Sequence, residues 1–365
     1  MLSTLTIIGC TSLPAQNWQT ISVSDFADSI HHARMKFEKE NPPYELYQQD
    51  QITFIADNIL AGQLDDGGWS KNKDWLRVYD ANEIFLLKQG RSTLDNRTTW
   101  SQIEYLAKVH EQTQQKQYAD AAIRGIEYLI SEQRESGGWR GYDIEAITYN
   151  DGVMVGVLQT LKSILDNRTQ YSFVDQNLFK RVQSAYNKGV DCVLKTQIII
   201  DGQLTAWAQQ YDHKSLKPIW ARSFEPPALS SSESVAVTRF LMSIDEPSTE
   251  IQNAVVSAVT WLDKVKIPDI KLEKVPAPAI NFNYHWSNFD YEVVEEKGAK
   301  PIWARYYDLE HQQAIFCTRQ SIITSNYKDL SRERRTGYGW YGYYANRLIE
   351  KDFPKWEARW HGDQK

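Results

Sequence analysis

Two stretches decide how this chain is read: Gln-Leu-Asp-Asp-Gly-Gly-Trp at 63–69 and Gln-Arg-Glu-Ser-Gly-Gly-Trp at 133–139. Both spell Gln, three residues, Gly-Gly-Trp, and each closes a segment of helical apolar period. A glycine there supplies a left-handed helix cap, and the tryptophan folds back over the helix end. Gly337-Tyr-Gly-Trp340 echoes them loosely. Helix pairs closed on one side by the same loop predict a mainly α fold, an α/α toroid with its loops gathered at one mouth.

Working outward, apolar periodicity predicts helices over 48–62, 98–112, 117–134, 151–166, 176–196, 231–244, 248–265 and 341–350, with Asp175 and Ser248 as N-caps. The helical period disappears over 268–300. Pro268, Pro276 and Pro278 precede INFNYHWSNFDYEVV there, which reads as an inserted extended segment or small sheet. The organisation expected is a signal at 1–16, a linker or lead-in helix at 17–44, a boundary near Glu38–Pro43, and a toroid domain over 45–365.

The 365 residues are 42% hydrophobic and 24% charged, enough to bury a large core. A net charge of −6 gives no global field for nucleic acid, and no run of about 18 apolar residues could span a membrane. Any anionic ligand must be captured locally. Thirteen Trp and twenty Tyr exceed what a core needs and point to a carbohydrate groove.

Cys192 and Cys317 sit singly in apolar or aromatic segments without metal-ligand spacing, so buried inert thiols are expected, with a disulfide between them as the alternative. The opening MLSTLTIIGCTSLPAQ resembles a bacterial lipoprotein signal with Cys10 as the lipid-bearing residue, although its start lacks positive charge. Export is the expectation, as a secreted, periplasmic or outer-membrane protein, and a monomer.

A second repeat carries chemistry. PIWARSFE at 218–225 returns as PIWARYYD at 301–308, each with one arginine, Arg222 or Arg305, in an aromatic frame ending in a carboxylate. A guanidinium is a fixed fork of donors that stays charged, so two in one cleft, with Arg319 as a third, suit a polyanion. Alternatively, Arg222 and Arg305 pair with Glu225 and Asp308 to hold the loops. Asp95 in Ser92-Thr-Leu-Asp-Asn96 and Asp151 in Ile147-Thr-Tyr-Asn-Asp151 stand at predicted helix starts, where each could cap its helix. Because each follows a Gly-Gly-Trp loop, both could instead reach one mouth. Two carboxylates with oxygen-rich neighbours form half of a Ca²⁺ site, an ion that takes about six to eight oxygens. Trp69 could stack on sugar or anchor its loop. Lys71 could meet a carboxylate or stay solvated, and Glu233 could cap a helix or touch substrate.

The ordered motifs DGGWSKN (66–72), STLDN (92–96), ITYND (147–151), WARSFEPPALSSSES (220–234), IWARYYDLE (302–310), IFCTR (315–319) and ERRTGYGWYG (333–342) resemble the pectate lyases of polysaccharide lyase family 10 over most of the chain after residue 45. The resemblance implies an α/α toroid and calcium-dependent cleavage of polygalacturonate by anti β-elimination. It further implies that Asp95 and Asp151 bind the calcium, Arg222 is the base, and Arg305 and Arg319 grip substrate carboxylates. Nearby cations should lower the pKa of Arg222 toward a usable neutral fraction. The chain departs from the pattern at Gly152, where many relatives carry a second aspartate, and in a short connection from Trp139 to Ile147.

Two other readings compete. One is a pectate-binding relative without turnover. The other is a terpenoid-cyclase-like α/α toroid, which also uses Gln and Gly-x-Trp loops but would need an Asp-x-Asp-Asp acid motif that this sequence lacks.

Overall fold

The computed structural model describes residues 18–35, 37 and 41–361. The expected signal with Cys10, and Glu38, Lys39 and Glu40 of the expected boundary, lie outside the described residues. The helices are α1 (Ala27–Arg34), α2 (Ile52–Gly62), α3 (Trp100–Thr113), α4 (Lys116–Ser131), α5 (Val153–Asp166), α6 (Gln176–Lys195), α7 (Ser231–Met242), α8 (Thr249–Lys264), α9 (Arg332–Gly337) and α10 (Phe353–His361). Asp175 and Ser248 cap as expected, their side chains accepting from the Leu178 and Ile251 N–H groups.

Burial separates two rings. α5 is buried almost all round, from Val153 to Leu158 and on to Thr160, Leu161 and Ile164. α6 buries only a stripe: Leu178, Val182, Ala185, Gly189, Cys192 and Val193. The inner helices α3, α5 and α7 pack in succession, each backed by α4, α6 or α8, and this is the expected α/α toroid. Ile21, Val23 and Phe26 of the lead-in segment enter the same core, and α1 lies against the 95–97 turn.

The Gln…Trp loops are hydrogen-bonded joints between neighbouring helices. The side-chain amide of Gln63 donates to the Gly67 and Ala121 carbonyls, each at 2.8 Å, and that of Gln133 to Gly137 and Ala185, again at 2.8 Å. Gln197 does the same to Thr205 and Ala254 at 3.0 Å. The indole N–H groups of Trp69, Trp139, Trp207 and Trp303 donate to the Ile59, Leu129, Val193 and Leu262 carbonyls at 2.7–2.8 Å. The third loop escapes a Gly-Gly-Trp search because a small hairpin, Ile199–Leu204, stands between Gln197 and Trp207.

The glycines act differently from expectation. Helix α2 already ends at Gly62, whereas Gly67 and Gly137 (φ +92° and +93°) form the tight turn beyond the helix. A Cβ on either would meet a carbonyl oxygen of the adjacent helix, Arg124 at 2.4 Å or Lys188 at 2.2 Å.

The 268–300 segment is a long antiparallel hairpin of strands Ile270–Asn281 and Trp286–Glu295, with an irregularity between Pro276 and Ile280. A short four-stranded sheet links Leu229–Ser230, Tyr306–Tyr307, Ala314–Cys317 and Ile323–Thr324. The helix expected over 341–350 is corrected. Tyr341–Gly342 instead pair with Trp303–Ala304, and helix resumes as a π turn at Leu348–Asp352 that runs into α10. Cys192 and Cys317 are buried free thiols. Among the described residues, no helix is long and apolar enough to cross a membrane.

Candidate active site

Two residues beyond each anchoring tryptophan stand Lys71, Gly141, Gln209 and Arg305, equivalent positions of the toroid repeat. This corrects the pairing of the two PIWAR segments. Trp303 is buried, whereas Trp220 is 39% exposed and anchors no helix. The structural counterpart of Trp303-Ala-Arg-Tyr-Tyr-Asp308 is Trp207-Ala-Gln-Gln-Tyr-Asp212. In both, the alanine N–H donates to the following tyrosine hydroxyl, Ala304 to Tyr307 at 3.0 Å and Ala208 to Tyr211 at 2.5 Å. Asp308 and Asp212 then accept N–H groups of their own turns. Arg305 is thus matched by Gln209, and Arg222 is a separate addition to the mouth.

Asp95 and Asp151 do converge. They occupy related turns, Asp95-Asn96 and Asn150-Asp151, in each of which the second residue is left-handed, Asn96 at φ 50° and Asp151 at φ 54°. Neither caps a helix: α3 is capped by Thr99 in a box with Gln102, and α5 has no side-chain cap. Both therefore line one cavity, together with Lys71, Asn150, Gln210 and Arg222. Asp151 lines the cavity and remains exposed to solvent. Desolvation and the adjoining Asp95 carboxylate raise its pKa well above the carboxylate range, with Arg222 and Arg305 opposing. Lys71 Nζ lies 2.5 Å from Asp95 Oδ2 and 4.0 Å from the Tyr142 ring centre.

Each arginine has an acidic partner. Arg222 Nη2 donates to Glu225 Oε1 at 2.5 Å, as one of the sequence readings held. Arg305 pairs instead with Glu233 at 2.5 Å, because Asp308 is committed to its own turn. Arg319 forks onto Glu333 at 2.7 and 3.0 Å. Within the chain alone, two opposing effects act on the Arg222 pKa. Burial lowers it, but the hydrogen-bonded Glu225 outweighs burial and holds the guanidinium above its ordinary value. Glu225 is itself fully buried, and Tyr338 donates to its Oε1 at 3.0 Å.

Trp69 does not reach the cleft. It has no exposed surface and anchors its loop, which overturns the sugar-stacking alternative. Most tryptophans likewise pack the core, while Trp220 and Trp286 remain exposed. Sequence reasoning missed Asn72, Asn96, Asn150, Gln209, Gln210, Tyr142 and Tyr338. Asn150 was legible beside Asp151, but Gln209 and Gln210 emerge only once Trp207 is seen to be an anchor.

The residues present fit a hard cation. Asp95 and Asp151 offer carboxylates, Asn150 and Gln210 offer amide oxygens, and Gln210 Oε1 is buried without a hydrogen-bond partner. Among the described residues, no group of three or more His, Cys, Asp or Glu could hold a metal by itself. Gly152, with φ +72°, supplies no third carboxylate. A cation held by these groups would keep positions open for water and a substrate oxygen.

The chain is similar to known proteins over most of its length. Residues 63–349 match the model of the pectic acid lyase family. A family 10 polysaccharide lyase from Cellvibrio cellulosa superposes with a TM-score of 0.69 at 26% identity, covering 92% of this chain and 98% of that one. An aspartate-to-alanine mutant of a family 10 lyase from the same organism, in complex with trigalacturonic acid, superposes with a TM-score of 0.69 at 25% identity, covering 92% and 99%. No curated protein matches the chain. With the toroid and its cleft in place, the match over 63–349 shows that this chain belongs to the pectic acid lyase family, as a polysaccharide lyase.

Proposed function

We propose that this polysaccharide lyase cleaves de-esterified polygalacturonate by anti β-elimination to unsaturated oligogalacturonates, with Ca²⁺ held by Asp95 and Asp151. The observation that carries this reading is that Arg222 lines the same cavity as the two aspartates. In the reaction the proton on C5 of a galacturonate leaves to a base. The C5–H electron pair forms the C4–C5 double bond, and the C4 oxygen departs with its bond pair. Negative charge builds on the C5 carboxylate, and a bound Ca²⁺ supplies Lewis-acid neutralisation of that group.

The chain's own residues do the rest. Arg222, its side chain 44% exposed and oriented by Glu225, faces the cleft as the base. Glu225 keeps most of it protonated, so turnover draws on a small neutral fraction of high intrinsic basicity that grows with pH. Lys71, Arg305 and Arg319 offer cationic contacts to substrate carboxylates, which offsets the acidity of the protein as a whole. Each of these cations already has an acidic partner, so each is held in place before substrate arrives.

The test compares polygalacturonate with heavily methyl-esterified pectin, following ultraviolet absorbance of the unsaturated product. Faster turnover of the free acid supports the reading; preference for the ester overturns it. Retention of polygalacturonate without product would instead indicate a binding protein.

A further inference from the structure

We infer that the tip of the 270–295 hairpin is an outer subsite that stacks on galacturonate residues of a long chain beyond those held at the cavity, an inference that rests on the proposed substrate class. Phe282 N–H donates to the His285 carbonyl at 2.9 Å, closing a turn that leaves Tyr284 63% and Trp286 60% exposed. Large aromatics at that exposure forgo burial, and nothing in the fold requires them there.

Continuity with the cleft comes through arginines. The Arg222 and Arg319 guanidiniums each lie 5.2 Å from the Phe224 ring centre, and Arg319 also lies 4.4 Å from that of Tyr284. Cation and ring thus alternate from the proposed base to the hairpin tip. A pyranuronate offers both matching chemistries, an apolar C–H face for the ring and a carboxylate for the guanidinium.

Charge points to the same occupant. From Pro276 to Phe289 the hairpin carries no Asp or Glu, although the protein as a whole has a net charge of −6. The arm is also fixed in direction: Arg332 of α9 donates to the Phe289 carbonyl at 2.8 Å and the Ser287 carbonyl at 3.2 Å, and His285 hydrogen-bonds Thr336 at 2.8 Å. A braced, acid-free arm with exposed rings suits an anionic polysaccharide that continues past the cavity.

Trp286→Ala is the direct probe, and Tyr284→Ala, at the ring over which the Arg319 guanidinium lies, is the second variant. Retardation in native gels containing polygalacturonate measures binding without turnover, and steady-state rates on polygalacturonate and on trigalacturonate separate long from short substrates. The subsite predicts about three- to tenfold weaker retardation and a similarly raised KM on the polymer for Trp286→Ala, with KM on trigalacturonate within about twofold. Retardation equal to wild type, or equal losses on polymer and trimer, would overturn it. Wild-type retardation without unsaturated product would sink the lyase reading while the gel comparison still decides the subsite.

Discussion

Glu225 holds Arg222 at two points: one carboxylate oxygen accepts the Arg222 backbone N–H at 3.1 Å, and the other accepts Nη2 at 2.5 Å. The loop and the guanidinium are thereby oriented together, and the guanidinium is kept charged in the resting protein. Base strength and scarcity of the neutral form come from the same contact.

The rate should therefore climb with pH through the alkaline range. Replacing Glu225 with Gln removes the anion that raises the Arg222 pKa, so the climb should level off at lower pH than in wild type. A pH series of kcat/KM reads this directly. An acid-shifted wild-type profile, or a profile unmoved in the variant, would count against Arg222 as the base.

A divalent cation at Asp95 would have to compete with Lys71, whose ammonium lies 2.5 Å from Asp95 Oδ2. Lys71→Met should lower the calcium concentration needed for half-maximal rate while weakening substrate binding. Asp151→Asn should raise that concentration. Calcium titrations of activity give both numbers, and a higher calcium requirement in Lys71→Met would contradict the competition.

Arg305 and Glu233 form a largely buried pair, with side-chain exposures of 16% and 6%. Arg305→Ala strands the carboxylate and should cost about 3 kcal/mol in urea unfolding, with Glu233→Gln in the same chain recovering much of it. KM should rise as well, because the proposed grip on substrate is lost. An unchanged unfolding midpoint would contradict the pairing.

Glu333 provides an acid-sensitive brace. Burial pushes its pKa up, but hydrogen bonds from Arg334 and Arg319 prevail and draw it down to about 2. Since the folded value lies below the ordinary value of about 4.3, its stabilisation is present above that ordinary value. It is lost as pH falls toward about 2. Glu333→Gln should flatten the stability profile in that window, measured by urea unfolding at successive pH values.

What could be read in advance follows physical range. Asp175 and Ser248 cap helices through contacts three residues away, and the local pattern suffices. The Gly-Gly-Trp loops disclosed the toroid because each contains its own turn and anchor. PIWAR misled because identical residues serve different ends, Trp303 under a helix and Trp220 at the surface. The partner of Arg305 was illegible for a related reason. Glu233 lies on α7, 72 residues away in sequence, and only the closing of the ring joins them. At 341–350, strand pairing with Trp303–Ala304 overrode local helical character.

The central claim is that Arg222 takes the C5 proton in a cleft that needs calcium. Wild type and Arg222→Ala should be incubated with polygalacturonate and Ca²⁺, with and without chelator, while ultraviolet absorbance of the unsaturated product is followed. The account predicts product from wild type only with calcium, and a kcat about 10²- to 10⁴-fold lower in the variant with KM changed only a few-fold. Undiminished product from Arg222→Ala, or from wild type in chelator, would contradict it.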